Sequence, residues 1–96
     1  MFTMIRVEFA ASLQRHLPPG RACPVQNVAA SSLRGALEAA LHHVPELASY
    51  VFNDQRAVRQ HVAVFINREM VQDRTQLNQP LQPGDKVLVI QALTGG

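Results

Sequence analysis

The chain has 96 residues, a formal net charge of +2 and a hydrophobic fraction of 47%, which are typical of one soluble globular domain. Its basic residues are scattered rather than clustered, so the sequence does not indicate a nucleic-acid-binding face. Because Arg6 and Glu8 interrupt the apolar N-terminal stretch and no window reaches the ~20 apolar residues of a membrane span, we predict a cytoplasmic protein without a signal peptide.

Two strands are predicted before the first helix. Residues 4–10 alternate between apolar and polar side chains, which is typical of a half-buried strand. Its inward-facing positions are Ile5, Val7 and Phe9. A turn rich in proline and glycine at 17–20 leads to a second strand over 23–28, with Val25 and Cys23 facing inward. We expect these two strands to form a hairpin with a loose connection.

A helix is predicted between Ser31 and Pro45. Apolar side chains recur every three or four residues and form one stripe about three turns long. The stripe consists of Leu33, Ala36, Leu37, Ala40 and Leu41. Ser31 or Ser32 can cap the first turn, and Pro45 ends the helix because it lacks an N–H group. Gly35 costs the helix ~1 kcal/mol relative to alanine, and we interpret it as a point of close packing against the sheet.

The segment 46–61 follows this helix and shows the weakest pattern. Its apolar residues predict a short helical turn beneath the core, and residues 53–60 predict a polar loop. The apolar residues of this turn are Leu47, Tyr50, Val51 and Phe52.

Three more strands are predicted in the last third of the chain. An alternating strand at 61–66 is followed by a turn at 67–69 and a short return strand at 70–71. A tight turn at 82–85 precedes the last strand at 86–91. One helix that interrupts a series of strands predicts an α+β fold rather than a doubly wound parallel sheet. We predict a β-grasp domain over residues 1–91, in which a mixed sheet of about five strands carries one main helix across one face.

The last predicted strand is apolar at four consecutive positions from Val87 onward, although a strand covered on one face should alternate. We therefore place it at the centre of the sheet, with Val87 and Val89 towards the helix. The opposite face then carries Leu88, Ile90 and, by the same parity on its own strand, Phe65. Either this apolar patch marks a protein interface, or the segment 46–60 folds over it.

Residues 92–96 are predicted to be a flexible C-terminal tail, which could reach ~17 Å when extended. Gly95 and Gly96 lack a Cβ atom, so their backbone can enter a narrow slot. A terminal carboxyl group is ionised at neutral pH and, when positioned by an enzyme, can attack the α-phosphate of ATP. The resulting acyl-adenylate is open to a sulfur or nitrogen nucleophile.

Four sequence segments resemble the MoaD/ThiS family of sulfur carrier proteins, and the resemblance spans nearly the whole chain. They are MIRV at 4–7, VFIN at 64–67, LQPGDKV at 81–87 and LTGG at 93–96. The resemblance implies a ubiquitin-like β-grasp fold and a protein that is a co-substrate of partner enzymes rather than an enzyme. An activating enzyme of the ubiquitin-activating type would use ATP to adenylate Gly96, which then becomes a thiocarboxylate. A biosynthetic enzyme would accept the sulfide.

The resemblance also assigns expected roles to individual residues. By position, Ile90 matches an apolar residue with which the family docks its activating enzyme, and Gly96 matches the residue that carries the sulfur. We expect the partner-binding residues to be Phe65, Leu88, Ile90 and Leu93, and the tail residues to be Thr94 and Gly95. The segment 46–61 is longer than in the molybdopterin and thiazole carriers and looks more like the carrier that serves cysteine synthesis. The acceptor pathway, whether molybdopterin, thiamine, cysteine or a secondary metabolite, therefore stays open.

Other candidate sites are weaker. Cys23 is the only cysteine, which excludes an intrachain disulfide, and we interpret it as a small strand residue rather than a catalytic thiol. His42 and His43 are adjacent on a helix and so point in different directions, which does not favour a shared metal. We expect no bound metal or cofactor, with ATP used by the activating enzyme. Two alternatives remain: a ubiquitin-like modifier conjugated through Gly96, and a β-grasp interaction module with an inert tail.

Overall fold

The computed structural model describes residues 3–92, which form one mixed sheet and a set of helices on one side of it. The strands of the sheet are β1 (Met4–Phe9), β2 (Gln26–Ala29), β3 (Val62–Ile66), β4 (Glu69–Met70) and β5 (Lys86–Gln91). The α-helices are α1 (Ala11–Gln14), α2 (Leu33–His43) and α3 (Ala48–Val51), and a 3-10 turn covers Pro45–Leu47. None of these helices is long and apolar enough to cross a membrane.

The strands lie in the order β2-β1-β5-β3-β4. β5 pairs in parallel with β1 and antiparallel with β3, while β1–β2 and β3–β4 are antiparallel pairs. The prediction that the continuous apolar strand is central is confirmed, because β5 has a hydrogen-bonded neighbour on each side. The predicted fold, a mixed five-stranded sheet with one main helix across one face, is also confirmed.

The core lies between α2 and the sheet. The predicted apolar stripe of α2 is buried throughout, with Leu33, Ala36, Leu37 and Ala40 at 0% exposure. It packs in one cluster with the inward residues of the central strands, which are Ile5, Val7, Phe9, Val64, Val87 and Val89. Of the two serines that could cap α2, Ser32 does so, since its Oγ accepts a hydrogen bond from the N–H of Gly35 at 3.2 Å.

The second strand differs from its prediction. It begins at Gln26, three residues later than expected, and its buried apolar residue is Val28 rather than Val25, which is exposed. The cause is the pairing with β1, in which Ile5 lies opposite Val28 and fixes which positions face inward. Cys23 is buried as predicted, although it precedes the strand. The connection from β1 also contains α1, which was predicted as part of a loop and buries Leu13.

Gly35 does not contact the sheet in the way predicted. A Cβ atom there would meet Oγ of Ser32 at 3.3 Å and Cβ of Ala30 at 3.6 Å. The crowded neighbours therefore belong to the cap of α2 and to the residue after β2. An alanine at position 35 would press on the hydroxyl that caps the helix.

The segment 46–61 contains the predicted helical turn, and it lies beside α2. Leu47 and Val51 have no exposed surface and join the same core cluster. Arg56 forms an ion pair with Glu38 of α2, and its carbonyl oxygen accepts a hydrogen bond from Nη2 of Arg34 at 3.1 Å. These contacts tie the segment to the helical side of the sheet. The alternative in which it covers the opposite face is therefore wrong.

Candidate functional site

The face of the sheet opposite α2, here called the outer face, carries an apolar row across its strands. Leu88 of β5 lies opposite Phe65 of β3, which in turn lies opposite Met70 of β4. Leu88 and Phe65 are half-buried, whereas 52% of Met70 is exposed. The row therefore runs from the centre of the sheet to its edge.

A second, shorter row lies one step along the strands and extends this surface. Ile90 is half-buried and lies opposite the half-buried Ala63. The four larger side chains define what we call the apolar patch, namely Phe65, Met70, Leu88 and Ile90. The outward orientation predicted for Phe65, Leu88 and Ile90 is what the structure shows, although these side chains are half-buried rather than exposed. Met70 was not predicted, because a two-residue strand is too short for an alternating pattern that would show which way its side chains point.

A basic cleft adjoins the apolar patch at the end where β5 begins. Arg6 of β1 lies opposite Lys86 of β5, and both side chains point to the outer face. With Arg68 they line a cleft of about 200 Å³ that is also bordered by Glu8 and Leu88. Among residues 3–92, no acidic side chain forms an ion pair with any of these three cations.

The turn that holds Arg68 is fixed to the start of β5. Asn67 and Arg68 both have positive φ angles, 50° and 78°, so the two strands reverse within two residues. Nδ2 of Asn67 donates to Oδ1 of Asp85 at 2.8 Å, and the N–H of Lys86 donates to Oδ1 of Asn67 at 3.0 Å. These bonds keep Arg68 and Lys86 at the same end of the sheet.

Gln91, which ends β5 and is here called the root of the tail, is held on the helical side of the sheet by Ser12 of α1 and by His16. The N–H of Gln91 donates to Oγ of Ser12 at 3.0 Å. Nε2 of His16 donates to Oε1 of Gln91 at 2.6 Å. The His16 ring stacks on Tyr50, with ring centroids 4.0 Å apart and planes 9° from parallel. The segment 46–61 therefore reaches the last strand through Tyr50.

One more hydrogen bond extends the sheet past β5. The N–H of Ala92 donates to the carbonyl oxygen of His61 at 2.7 Å. The chain is thus anchored up to the residue where the predicted tail begins. Four predicted site residues follow and lie outside the described residues: Leu93, Thr94, Gly95 and Gly96.

The remaining candidate groups do not assemble into a reactive centre within the described part of the chain. Burial raises the pKa of the Cys23 thiol, which keeps it protonated at neutral pH and fits its interpretation as a packing residue. The rings of His42 and His43 meet edge to face with centroids 6.0 Å apart. Across residues 3–92, no three side chains of the metal-binding types His, Cys, Asp and Glu are grouped to hold an ion.

A mixed sheet with a central strand parallel to the first one, and with one long helix across one face, defines a ubiquitin-like β-grasp protein. Solved structures share this fold. The crystal structure of SAMP1 from Haloferax volcanii aligns with a TM-score of 0.73 and 21% identity, covering 97% of this chain and 99% of that one. The solution structure of small archaeal modifier protein 1 from Methanosarcina acetivorans aligns with a TM-score of 0.76 and 17% identity, covering 100% of this chain and 99% of that one. The solution structure of the Haloferax volcanii HVO 2177 protein aligns with a TM-score of 0.68 and 24% identity, covering 98% of this chain and 87% of that one.

The sequence itself identifies the family. A sequence model of the ThiS family matches residues 25–96, which is most of the chain. The protein therefore belongs to the ThiS family, and the resemblance found in its sequence motifs is confirmed. No curated protein sequence matches the chain. Family and fold together place it in the class of ubiquitin-like carrier and modifier proteins.

Proposed function

We propose that this protein is a sulfur carrier and that the α-carboxylate of Gly96 is the group that carries the sulfur. The observation that supports the proposal most is the ThiS family match, which runs through β3 and β5 to the final Gly-Gly. The central position of β5 adds support, because the predicted tail follows a strand that has a hydrogen-bonded neighbour on each side.

The proposed chemistry has two steps, both catalysed by a partner. A carboxylate oxygen of Gly96 attacks the α-phosphorus of ATP, so that pyrophosphate leaves and an acyl-adenylate forms. A hydrosulfide ion then attacks the acyl carbon, AMP leaves with the carboxylate oxygen that joined it to the acyl group, and the thioacid loses its proton to solvent. The net change is the replacement of one oxygen by sulfur, which gives a thiocarboxylate. In this proposal the carrier is a co-substrate, works in the cytoplasm and needs no cofactor of its own, because the activating enzyme binds the ATP.

The apolar patch is the proposed docking surface for the activating enzyme and for the enzyme that accepts the sulfide. Ile90 precedes the tail root Gln91 by one residue, so a partner that covers the patch also lies beside the start of the tail. The five residues from Ala92 onward could extend ~17 Å into a cleft of that partner. Phe65, Leu88 and Leu93 are the other proposed contacts. The folded domain would then bind the partner through the apolar patch, while the tail would enter the partner's cleft.

A second candidate function is conjugation to other proteins through the same acyl-adenylate, with a lysine amine in place of the sulfur nucleophile. Two structures with this fold carry the name small archaeal modifier protein, which favours considering it. Their identity to this chain is low, 20% and 17%, so the likeness supports the fold and not the reaction.

An intact-mass measurement separates these functions. The protein is incubated with an activating enzyme from the same organism, ATP and a sulfur donor, and a variant that lacks Gly96 is the control. The sulfur-carrier proposal predicts an ATP-dependent exchange of one oxygen for sulfur in the full chain and no change in the variant. A covalent adduct with a second protein would instead identify a modifier. An unchanged mass of the full chain would identify an interaction module with an inert tail.

A further inference from the structure

Within the described part of the protein, no carboxylate forms an ion pair with the cations of the basic cleft at the end of the apolar patch. The cleft brings together Arg6, Lys86 and Arg68, and Glu8 is the one acidic residue that lines it among residues 3–92. Two other carboxylates lie near this end of the sheet. That of Asp85 accepts hydrogen bonds from Asn67 and from the N–H of Gln82, while Glu69 lies opposite Ile66 and so belongs to the other face.

We propose that the activating enzyme presents carboxylate side chains to this cleft while its apolar surface covers the patch. The inference rests on the proposed function, because it specifies the partner that docks for adenylation. The partner surface is therefore apolar at its centre and acidic on the side that faces the start of β5.

The first argument is the electrostatic repulsion among the cations of the cleft in the unbound protein. Arg6 and Lys86 are direct cross-strand neighbours on adjacent strands, and like charges in such positions repel each other. The turn at Asn67 adds Arg68 to the same cleft through its hydrogen bonds to Asp85 and to the backbone of β5. A partner that supplies carboxylates relieves this repulsion, so its binding is favoured specifically at this site.

The second argument is the distribution of charge over the molecule. Three cations and Glu8 leave the cleft with a charge of +2, which equals the formal net charge of the whole chain. The other charged residues are balanced in number, and several pair with one another, as Arg21 does with Glu46 and Arg34 with Glu38. The cleft thus concentrates on the outer face a positive charge equal to the net charge of the chain, and a charge of this kind steers an acidic partner to the docking surface.

The third argument is the continuity of the cleft with the apolar patch. Leu88 belongs to both, since it lines the cleft and lies opposite Phe65 in the apolar row. A partner surface that covers Leu88 is thus brought within reach of the cations. An apolar wall and a charged rim favour a protein surface over a nucleic acid, whose contacts would be dominated by phosphates.

The test is the rate at which the protein associates with the activating enzyme, measured at several salt concentrations. Lys86→Glu and Arg6→Glu each reverse one charge in the cleft. Arg15→Glu is the matched control, because Arg15 is an exposed cation outside the cleft with no ion pair in the described structure. All three variants have the same net charge, so any difference in their association rates is due to the position of the reversed charge.

We expect the association rate of the two cleft variants to fall about tenfold at low salt and to approach the wild-type rate as salt is raised. The control variant should stay within about twofold of wild type under all conditions. Equal losses in all three variants, or no loss in the cleft variants, would overturn the inference. If the wild type forms a thiocarboxylate while the cleft variants associate normally, the inference fails alone. If the wild type never associates with the enzyme, the proposed function fails as well.

Discussion

Leu88 and Val89 are neighbours on the central strand, and replacing each by aspartate distinguishes the two faces of the sheet. Val89 has 0% exposed surface and lies between Phe9 of β1 and Val64 of β3, both of which are buried. Leu88 is half-buried on the outer face, where its neighbours across the strands are Glu8 and Phe65. The same substitution therefore enters a closed core at one position and a partly solvated surface at the next.

The expected loss in the free energy of unfolding is much larger at position 89 than at position 88. An aspartate at position 89 would be a buried group without a partner, and such changes typically cost more than ~4 kcal/mol of the free energy of unfolding. A domain of this size has a total stability of about 5–15 kcal/mol, so Val89→Asp should leave little folded protein. At position 88 most of the leucine surface is buried, so its loss costs ~2 kcal/mol. Glu8 lies directly opposite and repels an aspartate there by ~0.5 kcal/mol, while the three cations of the basic cleft attract it and offset this repulsion.

The assay is urea unfolding followed by circular dichroism, with Leu88→Asn as the control that removes the leucine without adding charge. We expect Leu88→Asp to keep a cooperative transition with a modestly lower midpoint and to lose binding to the activating enzyme. The asparagine variant should be about as stable as the aspartate variant, because repulsion by Glu8 and attraction by the cations of the cleft oppose each other. If Leu88→Asp unfolds the protein as severely as Val89→Asp, then Leu88 is a core residue and the outer face is not a free docking surface.

Three further predictions concern single side chains whose hydrogen bonds hold a loop, a turn or the last strand in place. Backbone N–H groups of residues 75–77 hold the pKa of the Asp73 carboxyl below its ordinary value, so this carboxylate stabilises the fold above pH ~4 and the stabilisation is lost as pH falls through the folded-state pKa. Asp73→Asn should therefore flatten the acid limb of the stability curve, and an unchanged limb would show that these bonds do not matter. Asn67→Ala removes the two hydrogen bonds that join the turn to Asp85 and Lys86 and should lower the free energy of unfolding by ~2 kcal/mol in urea titrations; no loss would contradict this. Ser12→Ala takes away the acceptor of the Gln91 N–H, which should then exchange faster with deuterium in NMR spectra, whereas unchanged exchange would mean that another group protects it.

The elements that the sequence predicted correctly are those with long, regular patterns. The alternation in β1 and the stripe of α2 each extend over enough residues to define a face, and the apolar run of β5 indicated its central position. The orientation of Leu88 and Ile90 followed from the same reasoning. The spacing of apolar residues along such an element shows directly which of its faces is buried.

The parts that were missed depend on pairing between distant segments. α1 has four residues, which is too short for a periodic pattern, and the error at Val25 arose because the register of β2 is set by β1. The basic cleft joins Arg6, Arg68 and Lys86, which are far apart in the sequence and lack a common motif. Only the pairing of β1 with β5 and the turn after β3 bring them together.

The central claim is that Gly96 is the residue that carries sulfur. Fragment mass spectrometry of the C-terminal peptide, after reaction with the activating enzyme, ATP and a sulfur donor, tests it most directly. A persulfide on Cys23 would add a sulfur without removing an oxygen, so the two modifications differ in mass as well as in position. We predict that one oxygen of the Gly96 carboxylate is replaced by sulfur. An unmodified Gly96, or sulfur found only on Cys23, would contradict the account.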